Sequence, residues 1–188
     1  QVLTPWPNAW WNLNVQLSYW SVYPSNRLEL GMPLVDAIGN NLDNLINNVP
    51  EPYRKDAAAL PVATDFTLTG ATVNVPGTEK KAQVGNLTWI CHNLWLQYRF
   101  SMDESILRNT LYPTLRRAVN FYLPFLTEDK SGKLHLKRTY SPEYGTAEDC
   151  NYDIALLRWG CNTLLEASRI LSVDDELIPR WKQVAEYL

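Results

Sequence analysis

The sequence predicts a mainly α-helical fold of antiparallel helical hairpins with long loops. Apolar residues at Leu34, Ile38, Leu42, Leu45, Ile46 and Val49 recur at three- and four-residue steps, the period of one helix face. Residues 86–100 are apolar nearly all round, as a helix buried on every side would be. Turn formers gather in two long stretches, 50–84 and 127–149, and leave the rest of the chain free to run as helices. At 188 residues the chain suits one domain.

Taken in order, residues 11–19 alternate strictly between apolar and polar. That period predicts an extended segment with Asn12 and Asn14 on one side, about 6–7 Å apart. Residues 33–48 form the first amphipathic helix, ended by Pro50 and Pro52. The excursion at 50–84 holds two β-like runs, 66–69 and 71–75, that suit a hairpin. An insertion of this length in a helical domain is often functional. After the helix at 86–100, Asp103 caps another that runs to about Leu126, with a break near Pro113. In 127–149, Lys130-Ser131-Gly132 marks a turn and Leu134-His135-Leu136 reads as a strand. Two further helices are predicted at 153–171 and 175–188. The chain stops inside a helical pattern without a cap, which reads as a cut.

Composition removes several function classes. Hydrophobic residues make up 46% and charged residues 20%, which is ordinary globular usage and argues against disorder. The net charge is -3 and the Lys and Arg residues are dispersed, so no basic stripe offers itself to nucleic acid. No apolar run approaches the roughly 20 residues that span a bilayer. Residues 1–11 lack the basic and apolar regions of a signal peptide. Cys91, Cys150 and Cys161 are an odd count without metal-type spacing and read as free thiols. No phosphate-type glycine loop and no serine elbow occurs, so no cofactor or metal is expected. The 8 Trp, 10 Tyr and 4 Phe serve first to fill a core, although flat rings also match the C–H face of a sugar.

Three stretches could carry chemistry. Asn12 and Asn14 offer amide donors and acceptors without charge, which suits sugar hydroxyls or a water awaiting orientation. The alternative is a pair that satisfies buried backbone. Glu143, in Tyr140-Ser141-Pro142-Glu143-Tyr144-Gly145, sits between a proline and aromatics. Shielding there would raise its pKa, as a general acid needs, whereas the alternative is an exposed loop glutamate. In Glu148-Asp149-Cys150-Asn151-Tyr152-Asp153 the acidic residues read as helix caps, with Asp149 or Asp153 at a pocket mouth as the functional alternative. His92, on a very apolar helix, reads as a satisfied core histidine before it reads as a ligand.

These residues resemble a known family. Asn-x-Asn-x-Gln-x-x-Tyr-Trp at 12–20, followed by Asn26 and Glu29, is similar to the opening of the catalytic domain of family 95 glycoside hydrolases. Gly85-Asn86-Leu87-Thr88-Trp89 with His92, Trp95 and Tyr98 resembles their next buried helix. Residues 107–125 resemble a helix with a Tyr-Pro and an Ala-Val-x-Phe-Tyr pattern, and Ser141-Pro142-Glu143 with Gly145 resembles their general-acid loop. The four blocks stand in the family's order and span most of the chain.

The resemblance implies an (α/α)6 toroid, of which residues 1–188 would be about the first half, as a single truncated domain. It implies an inverting α-L-fucosidase or a relative acting on a similar α-glycoside. Glu143 would protonate the leaving oxygen, Asn14 would contact the attacking water, and Asn12 would hold that water or the sugar. Trp11, Gln16, His92 and Tyr144 would line the sugar site. An aspartate from a later helix, beyond Leu188, would polarise the amide. The expected partner is an oligosaccharide or glycoside, and the resemblance favours a periplasmic or secreted bacterial protein. Two departures stand out: the stretch before Gly85 lacks the family's His-rich contacts, and Ser101-Met102-Asp103 replaces a common Thr-Gly-Asp. The competing reading is a non-catalytic carbohydrate-binding or scaffold domain on the same toroid.

Overall fold

The computed structural model describes residues 8–188. Residues 1–7, part of the segment read above for a leader, lie outside the described residues. The chain is mainly helical, with α1 at Asn14–Trp20, α2 at Met32–Asn40, α3 at Leu42–Asn47 and α4 at Asn86–Ser101. It continues with α5 at Glu104–Ile106, α6 at Tyr112–Asn120, α7 at Asn151–Leu171 and α8 at Ile178–Tyr187. Three two-stranded antiparallel ribbons decorate the helices: β1 (Ala9–Trp10) with β2 (Ala63–Thr64), β3 (Leu126–Glu128) with β4 (Leu134–Leu136), and β5 (Thr139–Ser141) with β6 (Gly145–Ala147).

The first segment corrects an expectation. Residues 14–20 are helical, and only Ala9–Trp10 is a strand. The alternating pattern misled because a polar residue lies inward: Gln16 is fully buried, with Val15 and Tyr19 packed on the core beside it. Its Nε2 donates to the Trp11 carbonyl, and its own carbonyl accepts from Asn93 Nδ2 at 3.0 Å. The apolar Leu13, Leu17 and Trp20 are 46%, 40% and 44% exposed. The bond from Nε2 holds inside an amide that a hydropathy pattern would leave outside, while its Oε1 is buried without a partner.

Elsewhere the periodicity locates the helices well. The predicted helix at 33–48 appears as α2 and α3, broken at Asn41, whose side chain turns back to donate to the Ala37 carbonyl at 2.8 Å. The predicted 66–75 hairpin does not form. β2 pairs with β1 instead, and Asp65 gathers the Thr67 and Thr69 amides at 2.9 and 3.0 Å into a tight turn. Asp103 caps α5 by accepting from Ser105 N at 2.9 Å. The break near Pro113 is a π-helical segment, Leu107–Leu111, leading into α6. A proline near the start of α6 lacks an N–H, and a wider turn before it absorbs that loss.

The core centres on α4, which packs against α1, α6 and α7 and buries residues on every side. α7 forms a hairpin with α8 and crosses α6 at Gly160, where an added Cβ would stand 2.8 Å from Val119 Cγ2. Arg116 on α6 ties the long excursion to the start of α8, binding both Asp56 and Asp175. The aromatics mostly fill this core: Trp181, Tyr23, Tyr122 and Phe121 are at most 1% exposed.

Candidate active site

Four elements meet around a hollow of about 330 Å³. The turn into α1 supplies Asn12 and Asn14, and α4 supplies Trp89. The β5–β6 hairpin supplies Ser141, Pro142 and Glu143, and α7 supplies Tyr152. Residues more than a hundred positions apart in sequence thus share one concavity.

Glu143 reaches it from a strained turn. Tyr144 N–H donates to the Ser141 carbonyl at 3.2 Å, which puts Pro142 second and Glu143 third in a four-residue turn. Glu143 has φ 59°, a left-handed value. Proline second with a positive φ third is the type II pattern, in which glycine is the usual third residue. A glutamate there stores about 1 kcal/mol of local strain, the kind of distortion that clusters at functional sites.

The asparagines arrive by a turn and a helix start, not by a pleat. Asn14 opens α1, and its carbonyl accepts from the Ser18 hydroxyl at 2.7 Å. Among the described residues neither the Asn12 nor the Asn14 side-chain amide has a hydrogen-bond partner. Nothing therefore commits them to satisfying the backbone, and both remain available to a ligand.

Trp89 and Tyr152 were not singled out as site residues from the sequence. Their rings meet edge to face at 5.8 Å, and Tyr152 Oη donates to Asn86 Oδ1 at 3.3 Å. Burial raises the Tyr152 pKa well above its usual value, so it stays a neutral donor. A signal for the contact was Gly85: a Cβ there would stand 2.4 Å from the Tyr152 ring, so glycine permits the approach.

Four residues expected near the sugar do not line this hollow. Trp11 is 4% exposed and donates Nε1–H to Thr64 Oγ1 at 2.8 Å, which ties the first turn to β2. Gln16 is fully buried in its backbone bonds. His92 is half-buried beneath Trp159, with ring centres 5.2 Å apart, and burial lowers its pKa, as suits a neutral core histidine. Tyr144 is 94% exposed at the hairpin tip and lines a neighbouring hollow instead. Packing and backbone satisfaction draw the first three inward. The turn at Glu143 throws the fourth outward.

The expected shielding of Glu143 by its own loop is likewise not found, because Glu143 is exposed at the rim. Asp149 is no helix cap either. Its Oδ1 accepts from Leu136 N and its Oδ2 meets His135 Nδ1, both at 2.7 Å, which fastens the far side of the hairpin. Asp149 and Asp129 together raise the His135 pKa. Asp153, rather than standing at a pocket mouth, is fully buried.

Comparison with known proteins gives this arrangement its class, the glycoside hydrolase catalytic domains. The chain belongs to glycosyl hydrolase family 95, whose catalytic domain matches residues 1–188. It is 26% identical to Alpha-L-fucosidase 2 of Arabidopsis thaliana over 186 residues, covering 93% of this chain and 22% of that protein. It is 25% identical to Probable alpha-fucosidase A of Aspergillus niger over 137 residues, covering 71% of this chain and 17% of that protein. The chain spans about a fifth of the length of these relatives.

Proposed function

We propose that this chain carries the acid half of the active site of an inverting α-glycosidase that removes a terminal α-L-fucose or a closely related sugar. The observation that supports this most is the shared hollow, where the Glu143 carboxyl and two unengaged amides converge. Glu143 gives its proton to the glycosidic oxygen as the bond to the anomeric carbon breaks. A water held by Asn14 and Asn12 attacks that carbon from the opposite face.

Inversion requires room for that water, hence catalytic groups separated by about 6.5–9.5 Å. An amide orients water and is too weak a base to take its proton. Among the described residues Glu143 is the sole carboxylate lining the hollow. The proton acceptor is accordingly assigned to a part of the protein outside these residues, on the remainder of an (α/α)6 ring. That remainder would also bring the shielding that the hairpin does not give Glu143.

In the full-length protein, Glu143→Gln should lower kcat at least about 100-fold on a fucosylated oligosaccharide. The first product released by the unaltered enzyme should be the β-anomer, read by proton NMR. Normal turnover of the Gln variant removes Glu143 from the mechanism, and initial α-product removes inversion.

A further inference from the structure

Directly behind the hollow lies a buried polar chain that the proposed chemistry does not use. Asp153, Tyr122, Thr139 and Thr88 are all 0% exposed. Tyr122 Oη donates to Asp153 Oδ1 at 2.8 Å. The Thr139 hydroxyl and the Cys150 thiol lie against the same carboxyl, and Thr88 lies against the Tyr122 hydroxyl. Three of its members are close in sequence to residues of the hollow: Thr88 precedes Trp89, Asp153 follows Tyr152, and Thr139 stands two residues before Ser141. Asp153 Oδ2 and Thr139 Oγ1 are both buried without a closed hydrogen bond. A carboxyl oxygen and a hydroxyl left open side by side form a joint that a small movement of the hairpin closes or opens.

We propose that Asp153 is a positioning residue: its buried carboxyl anchors Tyr122 and stands against Thr139, and through that joint it sets the hairpin that presents Glu143. This rests on the reading of Glu143 as the acid. Asp153 touches no substrate. It lies in the first turn of α7, where the helix dipole favours its ionised form. The groups facing it are Tyr122 from the end of α6, Thr139 from β5, and Cys150 and Tyr152 from the head of α7, and none of them is charged. Desolvation in that uncharged setting pushes its pKa up to about 6. Protonated, its Oδ2 hydroxyl donates to the open Thr139 Oγ1 while Oδ1 still accepts from Tyr122, whereas the ionised form stays desolvated with Oδ2 unpaired. The joint therefore loosens as pH rises through about 6.

The test uses the full-length protein with Asp153→Asn and, as the milder change, Thr139→Val. Hydrolysis of a fucosylated oligosaccharide is followed against pH, together with amide hydrogen exchange over residues 139–147. The Asn variant should lose about 10- to 100-fold in kcat with KM within twofold, because misplacing a catalytic group acts on the reacting geometry. It should lose the inflection near pH 6 that is expected of the unaltered enzyme, and exchange faster at the hairpin than at the centre of α7. Thr139→Val should reproduce the hairpin exchange while Asp153 and Tyr122 stay paired. Unchanged kcat, pH profile and hairpin exchange in both variants overturns the proposal. Should the unaltered protein hydrolyse no glycoside, the hydrolase reading fails separately and exchange alone decides. Hairpin protection that falls as pH rises through about 6, a dependence absent in the Asn variant, upholds the link; protection indifferent to both refutes it.

Discussion

Two side chains with left-handed backbone do different work. Met102 has φ 56° at the C-cap of α4, where its N–H closes on the Tyr98 carbonyl at 2.6 Å. Glycine is the residue that this position favours, so the departure from Thr-Gly-Asp is a matter of helix termination. Glu143 has φ 59° in the turn that brings its carboxyl to the hollow. Met102→Gly and Glu143→Gly should each raise stability by about 0.5–1 kcal/mol in urea unfolding, after the unfolded-chain entropy of glycine is offset. Only the second should abolish hydrolysis. Equal activity in both variants would mean that the strain at 143 serves no chemistry.

At the scale of elements, helix periodicity was legible wherever one face is apolar and the other wet, as at Leu34, Ile38 and Leu45. It failed at α1, where the Gln16 side chain turns inward to donate to the Trp11 carbonyl and leaves Leu17 outside. The turn at Glu143 was legible as a loop because Pro142 and Gly145 are local signals, while the role proposed for Glu143 came from the family resemblance and not from its own surroundings. The Trp89–Tyr152 pair was not, since nothing local says that α4 and α7 meet. Glycine marked one such meeting at Gly85, and Gly160 marks another. At Gly160 a methyl would stand 2.8 Å from Val119 Cγ2, so Gly160→Ala should cost about 1–3 kcal/mol as overpacking between α6 and α7. A urea midpoint unchanged from that of the unaltered chain would show that the two helices can part at no cost.

For the molecule as a whole, the buried Asp153 links stability to pH. Its pKa rises from 3.8 to about 6 on folding, so the folded state holds the proton more tightly. The stability this gives is fully present below about pH 4 and is lost as pH rises through about 6, some 3 kcal/mol in all. Asp153→Asn should therefore unfold no more easily than the unaltered chain at pH 7.5, and relatively more easily at pH 4.5. A parallel pH dependence of the two unfolding curves would contradict this. A carboxylate kept in the core at that cost, beneath the hairpin that bears Glu143, is the pattern of a site that gives up stability for position.

The most direct measurement separates proton donation from every other role of residue 143. In the full-length protein, Glu143→Gln is assayed on a fucosylated oligosaccharide, whose leaving oxygen needs a proton, and on α-L-fucosyl fluoride, whose fluoride leaves with little help. Removal of the general acid alone predicts a loss of at least about 100-fold on the oligosaccharide, with the fluoride hydrolysed within about tenfold of the unaltered rate. Equal losses on both substrates would contradict the assignment, because they would make Glu143 a residue that the site needs for something other than its proton.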